Sequence, residues 1–93
     1  MHTFQSADKL TRRDGMISTE LDQETVLMSI EAGAYYGMAG AARIIWEKLA
    51  AQVTFGELVQ SLVEEYEISP EACSADLQEF LSDMEQEGLL IVE

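Results

Sequence analysis

The sequence has one cysteine, one histidine, one proline and one tryptophan among 93 residues. Each scarcity excludes something. Cys73 alone cannot close an internal disulfide, and a chain without such staples suits a reducing compartment, the bacterial cytoplasm. Cys73 and His2 cannot make a zinc site, which needs several such ligands at fixed spacing. A catalytic Cys–His pair needs a base beside the thiol. The histidine sits at the N-terminus, and Cys73 lies on an apolar helical stripe among acids that disfavour a thiolate. No carboxylate has the apolar isolation that would raise its pKa. Gly33, Gly37 and Gly40 do not form a phosphate-binding loop and read as turn and bulge glycines. Neither an enzyme nor a metal or other cofactor is expected. No apolar run approaches the roughly 18 residues needed to span a bilayer, and the N-terminus lacks the basic and apolar regions of a secretory signal.

Basic residues are the most telling shortage. Residues 49–93 contain no Lys or Arg and 11 acidic residues, and the whole chain carries a net charge of −13. Such a surface repels nucleic acid and anionic membrane. It serves either as a solubility face or as an attractor for a cationic partner.

Apolar residues are nevertheless 47% of the chain, enough for a packed globule. A single domain over 1–93 is expected, with 1–14 as a loosely held lead-in. Two strands are predicted at Met16–Glu20 and Thr25–Glu31. In the second, Val26, Met28 and Ile30 alternate with Leu27, Ser29 and Glu31, favouring one face. Ala32–Gly33 signals a tight turn, and Ala34–Met38 a third strand. Gly40 ends the strand, and Ala41, Ala42, Ile45, Trp46, Leu49 and Ala50 recur at helical spacing. Thr54 and Glu57 form a capping box ahead of a helix with Phe55, Leu58, Val59, Leu62, Val63 and Tyr66 on one face. Ser69 and Pro70 open a third helix with the stripe Cys73, Leu77, Phe80, Leu81 and Met84, closed by Gly88. Leu89–Val92 is a short apolar tail, a strand or a clasp on the core. The class is α+β: a winged helix-turn-helix-like, three-stranded antiparallel sheet followed by three helices.

DNA reading is the activity this architecture first suggests, and charge excludes it. The third helix presents Glu71, Asp76, Glu79, Asp83, Glu85 and Glu87 where basic and amide groups would be needed. Peptide binding remains. A small sheet has an open edge, and Ala34–Met38 carries neither charge nor proline to shield it. A partner peptide can add there as a strand.

The segment AYYGMAGAARIIWEKL, residues 34–49, resembles the strand-to-helix signature of the PqqD-like family, an aromatic–Tyr strand, a small-residue turn and Ile-Trp-x-x-Leu. TFGELVQSLVEEYEISPEACSADLQEFLSDMEQEGLL resembles that family's second and third helices. The likeness covers about residues 15–92. It implies a recognition element for ribosomally made peptides, in which the precursor's leader adds as a strand beside the third strand, against the third helix. The Cys73-x-x-Asp76 spacing is most similar to stand-alone members of lasso-peptide clusters. There the implied partners are a precursor leader peptide, read through a Tyr-x-x-Pro motif, a leader peptidase of the cysteine-protease type, and an ATP-dependent cyclase. By the resemblance the peptide-binding residues are Ala34, Tyr35, Tyr36, Gly37 and Met38 with Cys73, Asp76, Leu77, Phe80 and Met84. One departure stands out: Ala39 occupies the place of the usual Asn or Asp before the first helix, so the expected cap is missing.

Alternation forces Tyr35 and Tyr36 to opposite faces of their strand. Asp76 and Phe80 lie at one margin of the helical stripe, whereas Leu77, Leu81, Met84 and Trp46 read as core. Two other functions stay open: a pyrroloquinoline-quinone-type peptide chaperone serving a radical enzyme, and an acidic scaffold docking a basic modifying enzyme through Glu64, Glu65 and Glu67.

Overall fold

The computed structural model describes residues 3–29 and 33–93. Its strands and helices run β1 Lys9–Arg12, β2 Ile17–Leu21, β3 Glu24–Ser29, β4 Ala34–Ala39, α1 Ala41–Lys48, β5 Val53–Thr54, α2 Phe55–Tyr66, α3 Pro70–Gln86 and β6 Leu90–Val92. The expected three-stranded antiparallel sheet is β2-β3-β4, and the three helices follow it.

The first hairpin is tighter than the four residues 21–24 suggest. Leu21 pairs with Glu24, leaving Asp22 and Gln23 as the turn. Both have positive φ, 46° and 69°, the twist that two-residue hairpins require and that Asp tolerates. In the second hairpin, Gly33 (φ 65°) donates its N–H to the Ser29 carbonyl at 2.8 Å. Ile30, Glu31 and Ala32, the end of the second expected strand and the start of its turn, lie outside the described residues.

The buried face of β3 is the reverse of the one its larger apolar residues suggested. Thr25, Leu27 and Ser29 are buried, while Val26 and Met28 are half-buried on the outer face. Period-two alternation identifies two faces without saying which is covered. Here α1 decides: its Ile45 and Trp46 join Leu27 and Met38 in one core. Arg43 of α1 then meets Glu20 of β2 at 3.0 Å.

Of the segment expected to be a loose lead-in, residues 3–12 are part of the packed fold. β1 is the central strand of a second small sheet, β5-β1-β6. Leu10 is fully buried there, opposite Val53 and Val92, and Phe4 is buried too, stacked on Phe55 with centroids 6.0 Å apart. A four-residue strand beside charged neighbours has too little local pattern to be recognised; it forms because the apolar tail, now β6, supplies its partner.

The helix ends follow their local chemistry. Thr54 accepts the Glu57 N–H at 3.1 Å and Glu57 accepts the Thr54 N–H at 2.9 Å, the reciprocal box. The Ser69 hydroxyl accepts the Ala72 N–H at 3.2 Å, with Pro70 at the first helical position. At the C-terminus of α3, Gly88 (φ 75°) donates to Glu85 and Leu89 donates to Met84, at 3.1 and 2.9 Å. That pair of hydrogen bonds turns the chain back sharply into β6. The N-cap of α1 is Gly40, one residue beyond Ala39, with φ 59°, ψ −131° and no side-chain cap.

Candidate functional site

β4 pairs with β3 along its length, and among the described strands nothing pairs with its other edge. Its side chains alternate. Ala34 and Tyr36 are half-buried and Met38 is buried on the helical side, whereas Tyr35, Gly37 and Ala39 face out. The tyrosines therefore divide as alternation demands: Tyr35 is 73% exposed, and Tyr36 turns toward α3.

Two observations give the course of α3 along this edge. The Tyr36 hydroxyl donates to Glu87, just beyond the C-terminal end of α3, at 3.2 Å. Downstream, Ala41 and Ala42 share a cavity with Asp76, Leu77 and Phe80 from the first half of α3. As the chain advances from Tyr36 to Ala42, its α3 neighbours fall from 87 to 76, so β4 and α3 run in opposite directions.

The cavity holds about 360 Å³. Ala41, Ala42 and Ile45 of α1 form one wall, Leu62 and Tyr66 of α2 another, and Cys73, Leu77 and Phe80 of α3 the third. Ile68 completes the apolar lining, and Asp76 is its charged residue. A pocket that is almost wholly apolar favours an apolar or aromatic side chain, and one carboxylate at its wall can accept an N–H or pair with a cation.

Of the ten sites inferred from the sequence, Cys73, Asp76, Leu77 and Phe80 line this cavity. Ala34, Tyr35, Tyr36, Gly37 and Met38 make up the edge strand. Met38 and Met84 are as buried as Cys73 and Leu77, but they are not among the residues that line the cavity. Gly37 faces outward beneath the Glu24 side chain: a Cβ there would meet Glu24 Oε1 at 2.5 Å. Sequence reasoning missed Ala41, Ala42, Ile45, Leu62, Tyr66 and Ile68 as cavity residues. One signal was present. The apolar stripe of α2 runs past its polar end into Tyr66 and Ile68, which stay 41% and 40% exposed.

Burial, and secondarily the Asp76 charge, push the Cys73 thiol above its ordinary range. It is a wall residue kept as thiol rather than an activated nucleophile. Among the described residues no cluster of three His, Cys, Asp or Glu side chains is placed to hold a metal, and no helix is long and apolar enough to cross a membrane.

Comparison with known proteins agrees with this architecture. A family model described as coenzyme PQQ synthesis protein D (PqqD) matches residues 24–90, from β3 to the start of β6. Among solved structures, the chain is similar to TbiB1 in complex with the TbiA(beta) leader peptide. The TM-score is 0.78 and the identity 28%, covering 86% of this chain and 93% of the other. No curated protein matches.

Proposed function

Since the chain belongs to the family of coenzyme PQQ synthesis protein D, we propose that it binds the leader peptide of a ribosomally made precursor as a strand added to β4. The observation that carries this reading is the edge of β4 that no described strand pairs with, running antiparallel to α3, with the 360 Å³ apolar cavity at its downstream end. Backbone bonds to alternate residues along the free edge of Ala34–Met38 supply affinity. Phe80, Leu77 and Cys73 receive an apolar or aromatic leader side chain, and Asp76 fixes it by accepting an N–H or pairing with a cation. Tyr36 ties the edge strand to the end of α3, and Met84 packs in the core behind it. The similar solved structure is a complex with a leader peptide, which supports leader binding here.

The protein works without catalysis of its own, in the bacterial cytoplasm, and hands the leader to a peptidase of the cysteine-protease type in lasso-peptide biosynthesis, before an ATP-dependent cyclase acts. The Cys73-x-x-Asp76 spacing supports that pathway. The matched family's description favours a second reading, in which the same groove presents a peptide to a radical enzyme of coenzyme PQQ synthesis. The enzyme genes beside this one separate the two.

The test is titration of the full chain with the synthetic leader of the adjacent precursor, followed by a proline scan of that leader. Proline removes a backbone donor and breaks a strand. Binding lost at alternate positions is the expected result; binding that survives proline at every position rules out strand addition.

A further inference from the structure

The side of α3 away from the groove already holds a peptide segment, the chain's own residues 3–8. Gln78 grips it by its backbone: Oε1 accepts the Phe4 N–H at 2.8 Å, and Nε2 donates to the Phe4 carbonyl at 2.7 Å. The Phe4 ring is buried and stacks on Phe55. Asp8 makes the following turn, its carboxylate accepting from Gln5 N–H at 2.8 Å and its own N–H donating to the Gln5 carbonyl at 3.0 Å.

The same segment supplies what the start of α2 needs. The first amides of a helix lack partners within it. Here Phe55 N–H donates to the Asp8 carbonyl at 2.9 Å and Gly56 N–H to the Ser6 carbonyl at 3.0 Å, while Thr54 takes Glu57 N–H. Residues 3–8 thus join the first turn of α2 to the middle of α3. These are two of the helices that wall the cavity. Asp76 and Phe80 each lie two positions from Gln78, about 200° around an α-helix. Gln78 therefore holds α3 from the side opposite the one Asp76 and Phe80 present to the cavity.

We propose that Gln78 is a positioning residue for leader binding: by clamping residues 3–8 to the back of α3 it sets the α2–α3 spacing, and so the shape of the groove. This rests on the leader-binding reading above. Coupling between the segment and the groove must be reciprocal. Leader binding should therefore also tighten the segment.

Two full-chain variants test it. Gln78→Ala removes both clamp bonds. Gly56→Ala leaves α3 untouched but puts a Cβ 3.3 Å from the Ser6 carbonyl oxygen, so the segment must shift by a few tenths of an ångström against the start of α2. Both are titrated with the synthetic leader of the adjacent precursor, beside wild type and beside Gln78→Glu, which keeps the acceptor and loses the donor. The expected result is a dissociation constant raised about fivefold or more in the alanine variants, with a smaller rise for Gln78→Glu. In leader-saturated wild type, hydrogen exchange at the Phe55 and Gly56 amides should slow. A purely structural role would move the melting temperature and leave leader affinity in the folded protein alone. Affinity within twofold of wild type in Gly56→Ala, and in Gln78→Ala wherever it folds, overturns the proposal. Failure of wild type to bind leader at all overturns the leader-binding reading instead, and this inference with it.

Discussion

Tyr36 Oη lies 3.2 Å from a Glu87 carboxylate oxygen, so a residue of the sheet's free edge is tied to the C-terminal end of α3. Burial first, and then the hydrogen bond and charge of Glu87, push the Tyr36 phenol above its ordinary value of 10.0. The neutral form is the one the fold favours. Its contribution is therefore complete below the ordinary value and is lost as pH rises through the raised one. Urea unfolding from neutral pH to about pH 11 should show wild type losing stability more steeply on the alkaline side than Tyr36→Phe. Parallel alkaline limbs would mean that the bond does not persist in solution.

Phe80 and Leu81 are neighbours with different duties. Phe80 is half-buried at the cavity, and Leu81 is fully buried in the core. Leu81→Ala should cost about 2–5 kcal/mol of stability in denaturant titrations. Phe80→Ala should cost less, yet raise the leader dissociation constant about tenfold, consistent with losing roughly 1.4 kcal/mol of contact. Equal effects on both measurements would erase the distinction between wall and core.

Cys73 is 3% exposed, and its thiol is pushed up by burial and by Asp76. Alkylation of the native protein near neutral pH should run about tenfold or more slower than after denaturation. Asp76→Asn removes the minor cause only, so it should quicken the reaction slightly. Bound leader should slow it further.

Gly40 begins α1 at φ 59° and ψ −131°, backbone that L side chains avoid. Gly40→Ala should destabilise by about 1–3 kcal/mol. Ala39 lies one residue ahead of the N-cap and is exposed, so Ala39→Asn should stay within about 0.5 kcal/mol of wild type in the same melts. The missing cap is replaced by glycine geometry rather than by another side chain.

The box at α2 also has a pH signature. The Thr54 backbone N–H, and next the Thr54 side chain, hold the Glu57 carboxyl below its ordinary value of 4.5. That stabilisation is present above the ordinary value and is lost as pH falls through the lowered one. Glu57→Gln should flatten the acid limb of the stability profile. Thr54→Ala should cost about 1 kcal/mol near neutral pH.

The helices were legible in the sequence because their signals are local. A Thr-x-x-Glu box, a Ser-Pro start and a Gly88 stop act within one or two turns, and the structure keeps all three where the residues stand. The division of Tyr35 from Tyr36 was equally local, since alternation is a property of any extended strand. Which tyrosine turned inward was not, because only the packing of α1 on one face of the sheet makes that face the covered one. The same packing reversed the favoured face of β3. Tertiary pairing also turned residues 9–12 into a strand, through partners at 53–54 and 90–92 that no local window contains. The cavity needed most of all: α1, α2 and α3 each contribute a wall, and Tyr66 and Ile68 become its lining only where those three helices meet.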